Sequence, residues 1–383
     1  MRYLLLRLKR FCGFITGFVF FISGILKLMD PVGTGLIVKE YFDFMHISFL
    51  EPAAKIVGAF MALTESLIGI GLITGVWKRK VAQAAIVLQS FFTFITLILV
   101  IFNPPMDCGC FGEAIHLTHK ETFIKNLILI GLLLIYYIPS RHLEHTKKRK
   151  YISFTIVTAS VVMFMIYSWA YMPLVEFTDF TPGSSLKSSS HDVDYEAVFV
   201  YEKEGRKESF ALDNLPDSTW QFVDTETIVK SGGKAGAHSL SFYNTKGEYV
   251  DSLATKGKVL IVSLYNTDIS EKKWKRIDTF IKDAENTGFK VLLLTSSPVE
   301  HNDNTYTADY KSLLTLNRSN GGVTYFQNGY LISKWSMRGY PDADGLKEVF
   351  SEDITEGIIG KETQESLTFQ AFLLYVFAVM LLL

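Results

Sequence analysis

Over its first half the chain alternates long apolar blocks with short polar ones, and the pattern changes character after residue 172. Residues 11–29 are apolar apart from Thr16, Ser23 and Lys27. Residues 53–77 are apolar apart from Lys55, Glu65 and scattered hydroxyls. Residues 81–102 and 152–172 carry no charge, and residues 123–138 are apolar after Lys125 and Asn126. Crossing a hydrocarbon core takes about 20 helical residues, so these blocks predict five membrane spans. Residues 368–383 are uncharged but short, and predict a sixth. The start of the chain is basic, as in a signal peptide, but no Ala-x-Ala-like site follows and Lys27 interrupts the run. The first block therefore reads as an uncleaved span.

Charge in the intervening loops predicts orientation. Residues 1–10, 78–80 and 141–150 hold twelve Lys and Arg. The alternate loops, 30–51 and 103–121, hold only Lys39 and Lys120. By the bias of basic residues toward the cytoplasmic side, the N-terminus is cytoplasmic and residues 173–365 lie outside. In a bacterium that places the protein in the inner (cytoplasmic) membrane with a periplasmic domain.

The outer segment reads as mixed α/β. Residues 180–190, rich in Ser, Pro and Gly, form a linker by composition. Strands over 196–201 and 208–212 flank a turn at residues 203–206, and strands over 239–243 and 249–253 flank a turn at 244–247. The continuous apolar runs 259–264 and 289–294 predict buried strands. Between them residues 270–286 predict a helix, with Ser270 as N-cap, Trp274, Ile277, Ile281 and Ala284 at helical spacing, and Gly288 as its end. A short helix over 309–316 and a hairpin of 323–326 with 330–335 around Asn328-Gly329 complete the unit. There is no internal repeat.

Composition narrows the function classes. Of 383 residues 49% are hydrophobic and 20% charged, against about 25% charged in soluble domains, and mean hydropathy is +0.22. A wholly soluble enzyme and a disordered chain are both excluded. Basic and acidic residues balance at 38 to 39, so no global field implies nucleic acid. Three cysteines exclude a disulfide framework.

The sharpest local chemistry is Asn103-Pro104-Pro105-Met106-Asp107-Cys108-Gly109-Cys110-Phe111-Gly112, on the predicted outer side. Two cysteines around a glycine can close a small ring. Gly109 supplies the backbone freedom, and strain makes the bond labile. The pair is a candidate for dithiol/disulfide exchange, or else a tight loop with buried thiols or a structural bond. Asp107 would raise a neighbouring thiol's pKa, so activation has to come from the following helix N-terminus or Lys120. His116 and His119 fit no common zinc spacing with these cysteines, and no metal is expected. Glu65, deep in the second span, is a candidate proton relay or quinone contact, or a helix–helix hydrogen bond. Lys27 reads as snorkelling to the interface. Gln83, Gln89 and Ser90 are available as partners for Glu65 or as packing groups, and Cys12 reads as a small buried hydrophobe.

Residues 20–30 (Phe-Phe-Ile-Ser-Gly-Ile-Leu-Lys-Leu-Met-Asp) resemble the first-span signature of the DoxX superfamily, and residues 62–75 its second. Residues 107–112 with the following span resemble the MauE branch, the methylamine-utilisation membrane proteins. The resemblance covers roughly residues 7–138, and the whole arrangement is similar to a group of uncharacterised Bacteroidetes membrane proteins. MauE-like proteins are implicated in disulfide formation on a periplasmic dehydrogenase, and DoxX-like proteins include a subunit of a quinone-reducing oxidoreductase. The resemblance thus implies redox work at the outer membrane face, with a quinone as the one cofactor to consider. From about residue 239 to 350 the chain resembles thioredoxin-like proteins of the TlpA type. Their Cys-x-x-Cys would follow Tyr265, where this chain reads Asn266-Thr267-Asp268-Ile269-Ser270, and their cis-proline is replaced by Gly322-Val323-Thr324.

The expected architecture is an α-helical membrane bundle with an extracytoplasmic α/β thioredoxin-like domain. Its parts are a four-span DoxX/MauE-like domain (1–150), a fifth span (151–172), a linker and β-rich segment (173–238), the thioredoxin-like domain (239–350) and a C-terminal span (366–383). The expected function is thiol/disulfide exchange through Cys108 and Cys110, with Glu65 as proton acceptor. The other reading is a non-catalytic scaffold whose thiol-less domain binds a periplasmic partner. Expected partners are the lipid bilayer and a periplasmic thiol/disulfide protein, with no nucleic acid.

Overall fold

A computed structural model describes residues 2–104, 106, 108–138, 146–173, 175, 177–178, 180–186, 195–203, 206–211, 221–229, 237–238, 240–299, 304–352 and 354–382; for the strands between 195 and 238 and for residues 354–366 it describes the course of the backbone only. The chain divides into two compact units. One holds Met1–Thr178, Trp335–Tyr340 and Thr355–Leu383; the other holds Asp179–Lys334 and Pro341–Ile354.

The first unit is a helical bundle. Its helices are α1 (Arg2–Met29), α2 (Pro31–Phe44), α3 (Ala54–Thr74), α4 (Lys78–Phe102), α5 (His119–Tyr137) and α6 (Lys148–Ala170), with the C-terminal helix Ile354–Leu382. Four stretches are long and apolar enough to cross a membrane, namely Arg7–Met29, Phe49–Thr74, Lys78–Phe102 and Lys148–Ala170. The expected fourth span is the 19-residue α5, whose first turns carry Lys120, Glu121 and Lys125. The apolar part of the C-terminal helix, Leu367–Leu381, is likewise shorter than the four.

Between lipid-exposed helices there is little hydrophobic driving force, so close packing decides association. Small residues let α1 and α3 touch backbone to backbone. A Cβ on Gly69 would sit 2.7 Å from the Gly17 carbonyl, and one on Gly24 would sit 2.6 Å from the Ala62 carbonyl. The C-terminal helix is bound into the same unit. Val376 and Met380 are buried with Phe21, Ile25, Val157 and Val161. Phe372 stacks on Phe164 at 4.7 Å, and the Ser153 hydroxyl donates to the Val379 carbonyl at 2.8 Å.

The first outer loop of the sequence reading is a helix rather than a loop. Asp30 caps α2 by accepting from Gly33 N–H at 2.9 Å, Pro31 opens it, and Gly33, Thr34, Ile37 and Val38 are buried. Proline at the first helical position loses no hydrogen bond, and an acidic cap serves an otherwise orphaned donor.

The second unit carries two sheets. A three-stranded antiparallel sheet joins β3 (Tyr195–Lys203) to β4 (Arg206–Ala211) and β5 (Gln221–Val229), in the order β4-β3-β5. The other strands are β2 (Ser185–Leu186), β6 (Ala237–His238), β7 (Phe242–Tyr243), β8 (Lys258–Leu264), β9 (Lys290–Thr295), β10 (Thr305–Ala308), β11 (Gly322–Gln327) and β12 (Tyr330–Trp335). They form one sheet in the order β6-β2-β12-β11-β8-β9-β10-β7. Helix α7 (Glu271–Thr287) connects the parallel pair β8 and β9, with Ile261 opposite Leu292. It starts after Ser270 and ends at Gly288, whose φ of 106° is the left-handed turn that glycine accepts without cost. Helices α8 (Tyr310–Leu316) and α9 (Ala343–Ser351) follow. Strands β8 and β9 are buried on both faces, which is why they read as unbroken apolar runs.

Two expectations for this unit hold only in part, and one strand was not expected. The linker is partly structured: Phe180 is core, Gly183 N–H donates to the Leu331 carbonyl, and Ser185 pairs with Tyr330. Residues 187–190 lie outside the described residues. The expected hairpin of 239–243 with 249–253 survives only at its turn: the Asn244 side chain accepts from Lys246 and Glu248 N–H, Tyr243 bridges Tyr249 antiparallel and Val250 N–H donates to the Phe242 carbonyl, but Asp251–Ala254 is a 3-10 helix rather than strand, and β7 also pairs with β10. Strand β10 itself was missed, being short and bordered by polar residues.

Candidate functional site

The cysteine loop begins where α4 stops. Asn103 ends that helix in the left-handed region at φ 43°, and its side-chain carbonyl lies 3.3 Å from His119 Nδ1. His119 Nε2 is 2.9 Å from the Met106 carbonyl, so this histidine braces the loop. Among the described residues no three metal-ligating side chains converge. Asp107 lies outside the described residues. The loop leads through β1 (Cys110–Glu113) to α5, which opens with a reciprocal cap between Thr118 and Glu121.

Gly109 turns the loop at φ 63°. A Cβ there would also land on the Ile37 side chain of α2. Glycine is therefore required twice, by the turn and by the neighbour. The turn brings Cys108 Sγ and Cys110 Sγ to 3.5 Å as free thiols, Cys108 buried and Cys110 partly exposed. Tyr41 of α2 donates its hydroxyl to the Cys108 carbonyl at 2.7 Å.

The two thiols are electrostatically unlike. Hydrogen bonding from Cys108 favours the Cys110 thiolate, as do the ammonium groups of Lys125 and Lys27, and together they outweigh burial and lower its pKa to about 6. Cys108, as donor in that bond and desolvated, moves well above the ordinary thiol range. One proton is thus held between two sulfurs. The activating cations are Lys125 and Lys27 rather than Lys120.

Lys27 does not snorkel. It is buried, and its Nζ lies 2.7 Å from both carboxylate oxygens of Glu65 and 3.0 Å from Ser23 Oγ. The glycine-mediated approach of α1 to α3 makes this geometry, since it sets Ser23 and Lys27, one turn apart, over Glu65. Gln89 and Gln83 serve other partners: Gln83 reaches Tyr137, and Gln89 lies 3.5 Å from the Asn126 carbonyl. Ser23 Oγ is 2.6 Å from Glu65 Oε2 and 2.6 Å from the Cys110 carbonyl oxygen. One hydroxyl proton serves only one acceptor at a time, so Ser23 alternates between Glu65 and the Cys110 carbonyl. The cysteine loop and the buried ion pair are therefore one hydrogen-bonded system. Cys12 is buried elsewhere in α1, as expected.

These groups border a cavity of about 440 Å³, within the range of about 300–1,000 Å³ typical of small-molecule sites. Cys108, Gly109, Cys110, Lys27, Glu65 and Asn126 contribute to its lining, and most of the remaining wall is apolar, including Phe20, Met61, Phe92 and Ile95. Sequence reasoning found Cys108, Cys110 and Glu65 but missed Ser23, Tyr41, Asn126 and the role of Lys27. The Gly17 and Gly24 spacing in the first span was the available signal for the α1–α3 contact.

Residues 195–231, the three-stranded sheet, match a family described only as a domain of unknown function. No curated protein and no solved structure matches the chain. Residues 3–139, which hold every residue of the site, match the model of the family described as methylamine utilisation protein MauE, so this is a multi-pass membrane protein with a MauE-like N-terminal domain.

Proposed function

We propose that this protein exchanges disulfides for thiols through Cys108 and Cys110 at the outer face of a bacterial inner membrane. The observation that supports this most is the close pair of free thiols in a left-handed glycine turn, one biased toward thiolate by a hydrogen bond from the other and by two lysines. The thiolate is the species that attacks and leaves in exchange. In the oxidised protein a partner thiolate attacks the Cys108–Cys110 bond and forms a mixed disulfide. The partner's second thiol then displaces it. The partner gains a disulfide, and two electrons and two protons reside on Cys108 and Cys110. Ser23 ties the loop to the buried pair by donating to the Cys110 carbonyl or to Glu65, and so helps to fix the loop's position; we assign Glu65 the role of a nearby proton acceptor.

The sheet unit has a different task. The order β9-β8-β11-β12, with β8 and β9 parallel around α7 and β11 antiparallel to β8, is the arrangement a thioredoxin-like core would have. No cysteine follows Cys110. Where a dithiol would sit, Asn266 and Asn320 bond each other: Asn266 N–H donates to the Asn320 side chain at 2.9 Å, which donates back at 2.8 Å. This unit binds or positions a periplasmic partner and carries no electrons.

Trapping tests the exchange. In membranes from cells making the full chain, Cys108→Ser or Cys110→Ser should accumulate a dithiothreitol-sensitive adduct with another protein, absent from the double variant. Absence of an adduct in both single variants leaves only the scaffold role.

A further inference from the structure

The two sulfurs of an exchanging pair have different tasks. One carries the mixed disulfide, and the other leaves as a thiolate whose charge must be stabilised. We propose that Cys110 carries the mixed disulfide, that Cys108 is the leaving sulfur, and that the Thr122 hydroxyl is the catalytic donor to the Cys108 thiolate. The assignment rests on the exchange reading above.

Thr122 breaks a pattern set by the other buried threonines of the bundle. A helical threonine ordinarily donates its hydroxyl back to a carbonyl one turn earlier. Thr16, Thr74 and Thr96 do so at 2.9, 2.7 and 2.9 Å, and Thr34 donates to the Lys27 carbonyl at 2.9 Å. Thr122, near the start of α5, is fully buried, yet its hydroxyl pairs with no group while the cysteines are neutral thiols. An idle buried hydroxyl costs stability and calls for a reason. The reason lies next to it, because this hydroxyl faces Cys108 and favours its thiolate by hydrogen bonding. Tyr41 is not equivalent. Its one proton goes to the Cys108 carbonyl at 2.7 Å, and its oxygen is 4.0 Å from Cys108 Sγ. Tyr41 therefore positions the cysteine, and Thr122 serves the sulfur.

Burial and charge sort the two sulfurs the same way. Cys110 is partly exposed, within reach of a partner, and Cys108 is buried. From the packed elements, Lys27 of α1, Glu65 of α3 and Lys125 of α5 act on Cys110, the two cations favouring its thiolate and Glu65 opposing it. The groups acting on Cys108 are Cys110, Thr122 and Tyr41, with no cation among them. A charge arriving on Cys108 thus depends on hydroxyl donors.

The step balances. A partner thiolate attacks Cys110 Sγ, the Cys108–Cys110 bond breaks, and its electron pair goes to Cys108 Sγ. Thr122 donates to that thiolate. The partner's second thiolate then attacks the partner's own sulfur and displaces Cys110. The two protons released when the partner's thiols ionise return to Cys108 and Cys110.

The test uses the full chain in detergent, carrying Cys12→Ser, oxidised with diamide and reduced with dithiothreitol as probe. A hydrogen bond to a charged group is worth roughly one to two pKa units. With a rate sensitivity of about 0.5 for the leaving sulfur, as for an attacking one, Thr122→Val should slow reduction about three- to tenfold. Thr122→Ser, which keeps the hydroxyl, should stay near the parent rate. In a Cys110→Ala chain, Thr122→Val should raise the pH midpoint for alkylating Cys108 by about one to two units, a change that altered packing alone would not make. In membranes, Cys108→Ser should trap the partner adduct and Cys110→Ser should not. A Val variant that reacts at the parent rate, or a Cys108 midpoint that stays put, overturns the role of Thr122 and leaves the exchange reading intact. Equal slowing in Thr122→Ser shows a structural role and overturns it too, and an adduct trapped only by Cys110→Ser reverses the assignment of the sulfurs. A parent disulfide that dithiothreitol does not reduce would defeat the exchange reading itself.

Discussion

Removing either half of the Lys27–Glu65 pair should be far more damaging than removing both. The two side chains are 8% and 3% exposed, with Nζ 2.7 Å from the carboxylate. In Glu65→Leu, the Lys27 ammonium keeps one of its three acceptors and loses two charge-assisted bonds, each worth roughly 1.5–3 kcal/mol. That agrees with the cost of about 3–5 kcal/mol for orphaning one member of a buried pair. In Lys27→Met, the carboxylate is left with the single proton of Ser23, and a similar loss is expected. The double variant buries two apolar side chains of comparable volume and should cost only about 1 kcal/mol, giving a coupling energy of several kcal/mol. Reversible unfolding of the full chain in mixed micelles, run on all four members of the cycle, measures it. Single variants within about 1 kcal/mol of the parent, or a double variant equal to the sum of the singles, would show that the pair is solvated and that Lys27 snorkels after all.

Other outcomes follow from the same geometry. Gly109→Ala should cost about 1–3 kcal/mol and slow thiol cycling, because a left-handed φ and the Ile37 side chain both oppose a Cβ; unfolding and alkylation rates check it. Alkylation at Cys110 should rise as pH passes about 6 and level off near neutrality, whereas Cys108→Ala, which removes the sulfur donor, should move the midpoint toward 9. Since the Cys110 pKa is lower in the folded chain, the stability it contributes is complete above about 9 and lost as pH falls through about 6. Gly322→Ala should destabilise the sheet unit, because the new methyl would land on the Asn317 side chain that holds the Val323 carbonyl. Reporter fusions after Arg79, Arg149 and Gly236 should read cytoplasmic, cytoplasmic and periplasmic; a cytoplasmic signal at Gly236 would contradict the topology and the oxidising setting of the cysteines.

What could be read from the sequence followed local physics. Unbroken apolar runs announced β8 and β9, because both faces are covered, and Asn328-Gly329 announced its hairpin, with φ of 51° and 81° at the two residues. The two thiols and Glu65 stood out as chemistry in an apolar setting. What failed depended on neighbours distant in sequence. Lys27 looked like an interfacial cation because its height along α1 was visible and its direction was not; Glu65 lies 38 residues away and meets it only because glycines bring the two helices into contact. Helix α2 was hidden in a stretch too short and too polar to resemble a span, although Asp30-Pro31 is a capping signal. The pairing of β7 with β10 spans some 60 residues and left no local trace.

The redox state of Cys108 and Cys110 in intact membranes tests the central claim most directly. Cells are quenched in acid, and free thiols are tagged with a mass-shifting maleimide before and after dithiothreitol, in a Cys12→Ser chain so that only the pair reports. The account predicts a mixed population, partly oxidised at steady state, that shifts to fully reduced with dithiothreitol and returns on its removal. A pair that stays wholly reduced, or wholly oxidised and resistant to dithiothreitol, would contradict it.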